Sequence, residues 1–245
     1  LEQACAATLK RTSMELGGNA PFIVFDDADI DAAVQGALIS KYRNSGQTCV
    51  CTNRIFVQDS IHDVFVDKLV TATAELKMGN GLDEGVQQGP LVNEKAVEDV
   101  DRLVRLSTEA GAQVALGGAR SDLGACYYQP TVLTGITSDM AVFRNEIFGP
   151  VAPVMSFADE AEAIALANDT EFGLASYFYT RDIGRVWRVS EALDYGMVGV
   201  NEGIISNEMA PFGGVKASGS GREGSKYGID DYLEIKYILM GGLDC

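Results

Sequence analysis

The sequence is poor in basic residues. Lysine and arginine together number 19 against 35 aspartates and glutamates, so the formal net charge is −16 with the single histidine neutral. A surface that binds nucleic-acid phosphates needs clustered lysine and arginine. We therefore expect no nucleic-acid partner.

Long hydrophobic runs are also missing. No stretch approaches the roughly 18 consecutive apolar residues that span a bilayer, so we expect no membrane association. Apolar residues still make up 47% of the 245 residues, enough for the core of one large domain or two small ones. The chain begins Leu1-Glu2-Gln3 without an initiator methionine or the basic and apolar regions of a secretory signal. We expect a piece of a longer protein.

Cysteines are few and odd in number: Cys5, Cys49, Cys51, Cys126 and Cys245. This pattern does not predict a disulfide framework and favours reduced thiols in the cytoplasm. A structural zinc site is not expected, because His62 is the single histidine and the closest cysteine pair has one residue between its members.

Strand-like and helix-like segments alternate along the chain. Strands are predicted at 22–25, 54–58, 151–157, 174–179 and 197–201, and helices at 29–41, 61–76, 93–110, 159–167 and 182–193. This order predicts an α/β fold with an open, mainly parallel twisted sheet and helices on both faces. The strand-like segment 232–240 follows a long irregular stretch and could add to another sheet, such as that of a partner subunit.

Residues 44–51 (NSGQTCVC) carry the sharpest local signal. They lie between a predicted helix and a predicted strand. One interpretation is a turn whose cysteines are buried small apolar residues. The other is a nucleophilic thiol, Cys49, on a loop at the mouth of a cleft, where backbone N–H groups or a cation would stabilise its thiolate.

Two acidic motifs have similar pairs of interpretations. Glu15 precedes two glycines in MELGGN and is either a surface carboxylate or a general base at a strand end, where parallel sheets place ligands at carboxyl ends. In NEIFGP, Glu146 is either solvated or accepts hydrogen bonds from sugar hydroxyls, and Phe148 is either a core residue or part of that site. The stretch 219–224 formally matches G-x-G-x-x-G, but no strand leads into it, so it does not predict a dinucleotide site.

Taken in order, these segments resemble the aldehyde dehydrogenase superfamily over essentially the whole chain. The matching pieces are MELGGNAPFIVFDDADID, GQTC, YYQPTVL, NEIFGPV, NDTEFGLAS and PFGGVKASGSGREG. The resemblance implies that Cys49 attacks an aldehyde and forms a thioester after hydride transfer to NAD or NADP. Glu15 would activate the water that hydrolyses the thioester. Glu146 would bind the nicotinamide-side ribose, and Phe148 would pack near the nicotinamide.

Within the superfamily, the chain is most similar to succinate-semialdehyde dehydrogenases, through YRNSGQTCVCTNR, NDTEFGLASYFYTRD, GVNEGIISNEMAPFGGVKASG and GREGSKYGIDDYLEIKY. That resemblance implies that Arg43 and Ser206 hold the substrate carboxylate; the alternatives are a salt bridge for Arg43 and a backbone-satisfied hydroxyl for Ser206. Cys51 is two residues from Cys49, and the two Cα atoms could lie about 5–7 Å apart. Some relatives use this pair as a redox switch, whereas the alternative is that Cys51 packs inward.

Members of this family are much longer and carry an N-terminal cofactor domain. Residues 1–15 would be its remnant, residues 16–228 the catalytic domain, and residues 229–245 an oligomerisation strand and tail of a homo-oligomer. The adenine and pyrophosphate site would lie in the missing part, so we expect little cofactor binding or oxidation by this chain alone. Two competing functions are a cofactor-independent thiol esterase and a folded remnant without activity.

Overall fold

The computed structural model describes residues 1–242. The helices are α1 (Glu2–Ala6), α2 (Ile30–Tyr42), α3 (His62–Ala74), α4 (Glu94–Glu109), α5 (Ala141–Arg144), α6 (Glu160–Asn168) and α7 (Ile183–Ala192). The strands are β1 (Met14–Glu15), β2 (Ala20–Val24), β3 (Thr52–Gln58), β4 (Gln113–Leu116), β5 (Thr131–Thr134), β6 (Val151–Phe157), β7 (Ala175–Tyr179), β8 (Met197–Val200) and β9 (Gly219–Ser220).

Seven strands form one sheet in the order β4-β5-β6-β3-β2-β7-β8. Every neighbouring pair is parallel except β4 and β5, which are antiparallel. The predicted α/β fold with a mainly parallel sheet is therefore confirmed. A separate two-stranded ribbon pairs β1 with β9, and Glu15 lies opposite Gly219 in it.

Aspartate and asparagine side chains mark the helix starts. Asp29, Asn93, Asp159 and Asp182 are the N-caps of α2, α4, α6 and α7, and each side chain accepts a hydrogen bond from a backbone N–H of the first turn. Such caps satisfy donors that have no partner inside the helix. These four helices begin within one residue of their predicted starts.

Two apolar clusters cover the two faces of the main sheet. Successive residues of a strand point to opposite faces, so Phe22 and Val24 join one cluster while Ile23 and Phe25 join the other. The first cluster packs on α2 and α3, and the second on α4, α5, α6 and α7. Helices therefore lie on both faces, as predicted.

Several segments differ from the sequence prediction. Helices α1 and α5 and strands β4, β5 and β9 were not predicted. The segment 233–242 has no regular secondary structure within the described residues, because no strand of this chain lies beside it to supply a hydrogen-bonded ladder. Cys245 lies outside the described residues. Pairing of the C-terminal segment with a partner's sheet stays a prediction. Among residues 1–242, no helix combines the length and apolar character needed to cross a bilayer.

Candidate active site

The predicted nucleophile lies on a sharply turned loop between α2 and β3. Helix α2 ends at Tyr42, and the next residues form a short 3-10 segment in which Asn44, Ser45 and Gly46 have φ angles of 53°, 56° and 77°. A Cβ on Gly46 would lie 2.1 Å from the carbonyl oxygen of Gly149, so only glycine fits there. This turn delivers Cys49 half-buried, three residues before β3 begins.

A glycine pair allows Cys49 and Glu146 to approach the chain that follows Glu15. A Cβ on Gly17 would lie 2.6 Å from Glu146 Oε2, and a Cβ on Gly18 would lie 2.4 Å from the carbonyl oxygen of Cys49. The Gly18 N–H donates a hydrogen bond to Glu146 Oε1 at 2.9 Å. The structure thus brings Glu15, Cys49 and Glu146 together around two residues that have no side chain.

The electrostatics of this cluster keep the thiol protonated. Burial, followed by the negative charges of Glu15 and Glu146, raises the pKa of Cys49 to about 11. Burial and the charge of Glu223 raise the pKa of Glu15, whose carboxylate lies within hydrogen-bonding reach of the Cys49 thiol. Burial also raises the pKa of Glu146, against the opposing effects of the Gly18 N–H and the Lys41 charge. Glu15, whose charge acts on the thiol more strongly than that of Glu146, is therefore the candidate acceptor of the thiol proton.

The site lies at the amino edge of the main sheet. Gly18 precedes β2, Cys49 precedes β3, and Glu146 precedes β6. The sequence prediction of a ligand at the carboxyl ends of the strands is wrong for this sheet. The reason is that Glu15 does not belong to it, since Glu15 comes from the β1–β9 ribbon. Ser218 joins this ribbon to the main domain, because its hydroxyl donates to the Gly17 carbonyl oxygen at 2.7 Å and accepts from the Gly173 N–H at 2.9 Å.

The Asn53 side chain holds the loop that carries Glu146 and Phe148 through two hydrogen bonds. Asn53 donates to the carbonyl oxygen of Asn145 at 2.8 Å and accepts from the N–H of Ile147 at 3.0 Å. Phe148 is 43% exposed and has a φ angle of 51°. Such a backbone conformation is strained for a bulky residue, and it holds the ring at the surface beside Glu146 rather than in the core.

Arg43 and Ser206 line one pocket, although 162 residues separate them in the sequence. The remaining walls come from the end of α2, the nucleophile loop, β7 and the segment after β8: Ile39, Ser40, Thr48, Val50, Tyr177, Gly203, Ile204 and Ile205. Thr48 and Val50 flank Cys49 in the sequence, so the pocket adjoins the loop that carries the thiol. Two of the lining residues are joined by a hydrogen bond, which the Tyr177 hydroxyl donates to the Val50 carbonyl oxygen at 2.7 Å.

Cys51 faces away from this pocket. Its side chain is buried, and its sulfur donates to the carbonyl oxygen of Lys41 at 3.2 Å. Burial raises its pKa, and the nearby Lys41 charge opposes that rise. Cys51 is a free thiol in this structure.

Several residues of the site were not singled out from the sequence. Thr48 and Tyr177 line the pocket, Lys41 is a buried cation behind the nucleophile loop, and Asn19 and Asn53 support the Glu146 loop. One usable signal was present for the asparagines, because polar residues at the start of otherwise apolar strands are typically retained for specific hydrogen bonds.

Comparisons with known proteins identify the family of the chain. The family model described as "Aldehyde dehydrogenase family" matches residues 1–238. A glutarate-semialdehyde dehydrogenase of Pseudomonas aeruginosa is 62% identical over 98% of this chain and 50% of its own length. The NADP(+) succinate-semialdehyde dehydrogenase GabD of Escherichia coli is 59% identical over 98% of this chain and 50% of its own length.

A solved structure, a succinate-semialdehyde dehydrogenase from Burkholderia pseudomallei, is also similar. It is 60% identical, superposes with a TM-score of 0.96, and matches 97% of this chain and 49% of its own. The chain therefore spans about half the length of these relatives. On the family match and these identities, the chain belongs to the aldehyde dehydrogenase family.

Proposed function

We propose that this chain is the catalytic half of an NAD(P)-dependent aldehyde dehydrogenase that oxidises succinate semialdehyde to succinate. The observation that carries the proposal is the pocket shared by Arg43 and Ser206, whose walls include Thr48 and Val50 on either side of Cys49 in the sequence. An arginine fork suits a carboxylate. The names of the relatives support this substrate class, since succinate and glutarate semialdehydes both have a carboxylate at the end opposite the aldehyde.

The chemistry divides an oxidation into two steps. Glu15 accepts the Cys49 proton, and the sulfur attacks the aldehyde carbon to give a tetrahedral adduct. When bound, NAD(P) would supply the acceptor for the hydride, and Cys49 would then hold the acyl group as a thioester. Glu15 passes its proton to solvent and then takes a proton from water as the hydroxide attacks the thioester carbon. The C–S bond breaks, the acid leaves, and Cys49 is reprotonated.

The residues present fit the nicotinamide half of the cofactor. Gly18 holds one oxygen of Glu146, and the other oxygen lies over Gly17, where a Cβ would fill the space. That second oxygen would accept a hydrogen bond from a ribose hydroxyl. The exposed Phe148 ring would cover the nicotinamide. The adenine half would bind to the other half of a full-length protein.

The domain assignment stays part of the proposal. Residues 1–15 would belong to the cofactor domain, residues 16–228 to the catalytic domain, and residues 229–245 to an oligomer contact. The exposed apolar side chains Ile235, Tyr237, Ile238, Leu239 and Met240 support a homo-oligomer contact. The free thiols among the described residues fit a reducing compartment, for which we propose the cytoplasm.

Protection of Cys49 tests the proposal with the chain as it is. Succinate semialdehyde should form a reversible adduct with Cys49 and protect it from iodoacetamide at lower concentrations than butanal, which has no carboxylate. Arg43→Gln should remove that difference. Equal protection by the two aldehydes would contradict the substrate assignment, and an unreactive Cys49 would favour a folded remnant.

NAD(P)H production is the companion measurement, with Cys49→Ser as the control. We expect negligible production from this chain alone. Cys49-dependent production would show a complete cofactor site and overturn the assignment of the adenine half to another segment. Turnover of an activated ester without NAD(P) would favour a thiol esterase.

We also infer that Cys51 can form a disulfide with Cys49 under oxidation, although its sulfur must first leave the Lys41 carbonyl oxygen. Mild peroxide should then block iodoacetamide labelling of Cys49, and a dithiol should restore it. Mass spectrometry should then find the peptide that contains Cys49 and Cys51 lighter by two hydrogens. In Cys51→Ser this species cannot form, and Cys49 is oxidised to the sulfenic acid and then to the irreversible sulfinic acid. A blocked Cys49 in the unmodified chain beside a Cys51 that is still a free thiol would exclude the disulfide.

A further inference from the structure

Glu15 and Cys49 belong to different parts of the structure, so contacts between the β1–β9 ribbon and the main domain decide whether their side chains meet. The ribbon has two residues in each strand, with Met14 opposite Ser220 and Glu15 opposite Gly219. An isolated pair of short strands has little stability of its own in water. The position of the Glu15 carboxylate therefore depends on how the chain that follows it is attached to the main domain.

One serine holds that chain at two successive residues. The Ser218 carbonyl oxygen accepts a hydrogen bond from the Leu16 N–H at 3.2 Å, and the Ser218 hydroxyl donates to the Gly17 carbonyl oxygen at 2.7 Å. The same hydroxyl accepts from the Gly173 N–H at 2.9 Å. Gly173 lies two residues before β7 of the main sheet. The Ser218 hydroxyl therefore joins the chain that follows Glu15 to the main domain.

The peptide group between Gly17 and Gly18 is held at both of its polar atoms. Ser218 donates to its oxygen, and its N–H donates to Glu146 Oε1 at 2.9 Å. Because neither glycine has a side chain that could pack against a neighbour, these hydrogen bonds set the orientation of the peptide group. A hydroxyl suits this position, since it donates one hydrogen bond and accepts another. Ser218 is fully buried, so bulk water does not compete for its bonds.

We propose that Ser218, acting through the peptide group between Gly17 and Gly18, positions the Glu15 carboxylate against the Cys49 thiol. This inference rests on the proposed function, in which Glu15 is the general base. Ser218 is a positioning residue, because it acts through the backbone that carries Glu15. Without its hydroxyl, the chain after Glu15 loses this connection to the main domain, and the carboxylate is no longer held beside the thiol.

The influence of Glu15 on the reactivity of Cys49 measures this positioning without a cofactor. The readout is the factor by which Glu15→Gln raises the rate of iodoacetamide alkylation at Cys49, measured by peptide mass spectrometry with Cys126 as the internal reference. In that reaction the sulfur bonds to the methylene carbon, iodide leaves with the electron pair of the C–I bond, and the thiol proton goes to solvent. In the unmodified chain the factor should be about three, since a thiol pKa lower by roughly one unit raises the thiolate population about tenfold and lowers its nucleophilicity about threefold.

In a Ser218→Ala background the factor should fall to about one, because a carboxylate that has left the thiol has no influence to lose. A loss of stability cancels, since both members of the compared pair carry the Ser218→Ala change. The pH dependence gives a second readout. In the unmodified chain the factor should fall towards one as the pH drops through the pKa of Glu15, which burial raises above its usual range. In Ser218→Ala the factor should stay near one at every pH.

Ser107→Ala is the matched control for the loss of a buried hydroxyl. Ser107 is also fully buried, and its hydroxyl accepts the Val142 N–H at 3.1 Å between α4 and α5. Its removal leaves a backbone N–H without a partner, as Ser218→Ala does, but does not touch the chain that follows Glu15. The factor of about three should therefore be kept in Ser107→Ala.

Two results would overturn the proposal in distinguishable ways. If the factor is about three in both the unmodified chain and Ser218→Ala, Glu15 acts on the thiol but Ser218 does not position it. If Glu15→Gln leaves the rate unchanged in the unmodified chain, the proposed pair of Glu15 and Cys49 is itself wrong, and the positioning role is wrong with it.

A second variant covers the case in which Ser218→Ala does not fold. Gly214→Ala keeps the hydroxyl but displaces it, because a Cβ on Gly214 would lie 2.6 Å from the Ser218 Cβ. The factor should fall to about one in this variant too. A factor that stays at about three in a folded Gly214→Ala would equally reject the proposal.

Discussion

Replacing Glu15 by glutamine should make Cys49 more reactive toward a neutral alkylating agent, although it removes the proposed general base. The pKa of the thiol is raised to about 11 by burial first and by the Glu15 charge second. Glutamine keeps the shape of the side chain and removes that charge. Iodoacetamide needs only a thiolate, so its rate reports the thiol pKa separately from turnover.

The size of the effect follows from the exposure of the carboxylate. Two charges about 4 Å apart interact by about 1 kcal/mol in water and about 4 kcal/mol at an effective dielectric of 20. Glu15 is exposed, which puts its interaction with Cys49 near the lower value, or roughly one pKa unit. One unit raises the thiolate population about tenfold at mildly alkaline pH, and the lower basicity costs about threefold in nucleophilicity. The alkylation rate should therefore rise about threefold.

The assay follows iodoacetamide incorporation at Cys49 by peptide mass spectrometry, with Cys126 as internal reference. Glu146→Gln should give a smaller increase, since its charge acts less strongly on the thiol. Glu223→Gln is the matched control, because Glu223 acts on Glu15 and is absent from the causes of the Cys49 shift. A slower or unchanged rate in Glu15→Gln would refute the reasoning. If Glu223→Gln raised the alkylation rate of Cys49 by the same factor, the effect would come from the net charge of the protein and not from the Glu15 carboxylate.

Three further substitutions probe the supporting structure. Gly18→Ala should lower the free energy of unfolding by about 1–3 kcal/mol, because the new Cβ would lie 2.4 Å from the carbonyl oxygen of Cys49. Urea unfolding measures this loss, with Gly81→Ala as the control, because a Cβ at position 81 has no atom within 4 Å. Equal stability of the two variants would contradict the prediction. Arg54→Met should cost about 1–3 kcal/mol in the same assay, because the Asn19 carbonyl oxygen loses the hydrogen bonds from Arg54 Nε and Nη2; a loss below about 1 kcal/mol would count against this. For Asp27, burial disfavours the ionised form, yet hydrogen bonds from the turn after β7 and the Arg185 charge hold its pKa below the usual range. The ionised Asp27 side chain therefore stabilises the fold above about pH 4, and this stabilisation is lost as the pH falls further. The melting temperatures of Asp27→Asn and the unmodified chain should differ at neutral pH and converge in acid. A difference that stays constant with pH would contradict this.

The sequence was sufficient for most of the fold because its signals were local. A capping aspartate or asparagine preceded four of the five predicted helices, and continuous apolar runs marked β2, β6 and β7. Strand β4 was missed because it is short and largely exposed, so it has neither a buried run nor a clear alternation. The segment 232–240 has strand-like composition, but a strand also needs a partner, which composition does not supply.

The site was predictable only as separate residues. Cys49, Glu15 and Glu146 stood out by motif, but their meeting point depends on Gly17 and Gly18, whose missing side chains make room for atoms far away in the sequence. The amino-edge location was not foreseen, because Glu15 reaches the site from the β1–β9 ribbon. The shared pocket of Arg43 and Ser206 likewise follows from packing of the loop after β8 on α2, which no local pattern encodes.

The negative charges at the site disfavour the thiolate form of Cys49. Two carboxylates face the thiol, and their effect adds to that of burial, so Cys49 rests as the neutral thiol. The thiolate is the form that attacks peroxides and other electrophiles, and burial also raises the pKa of Cys51. Both thiols should therefore react more slowly with such reagents than an exposed cysteine. Under the proposed function, the Glu15 carboxylate that disfavours the thiolate would also accept the thiol proton when an aldehyde lies beside the sulfur, so that reactivity would depend on the presence of substrate.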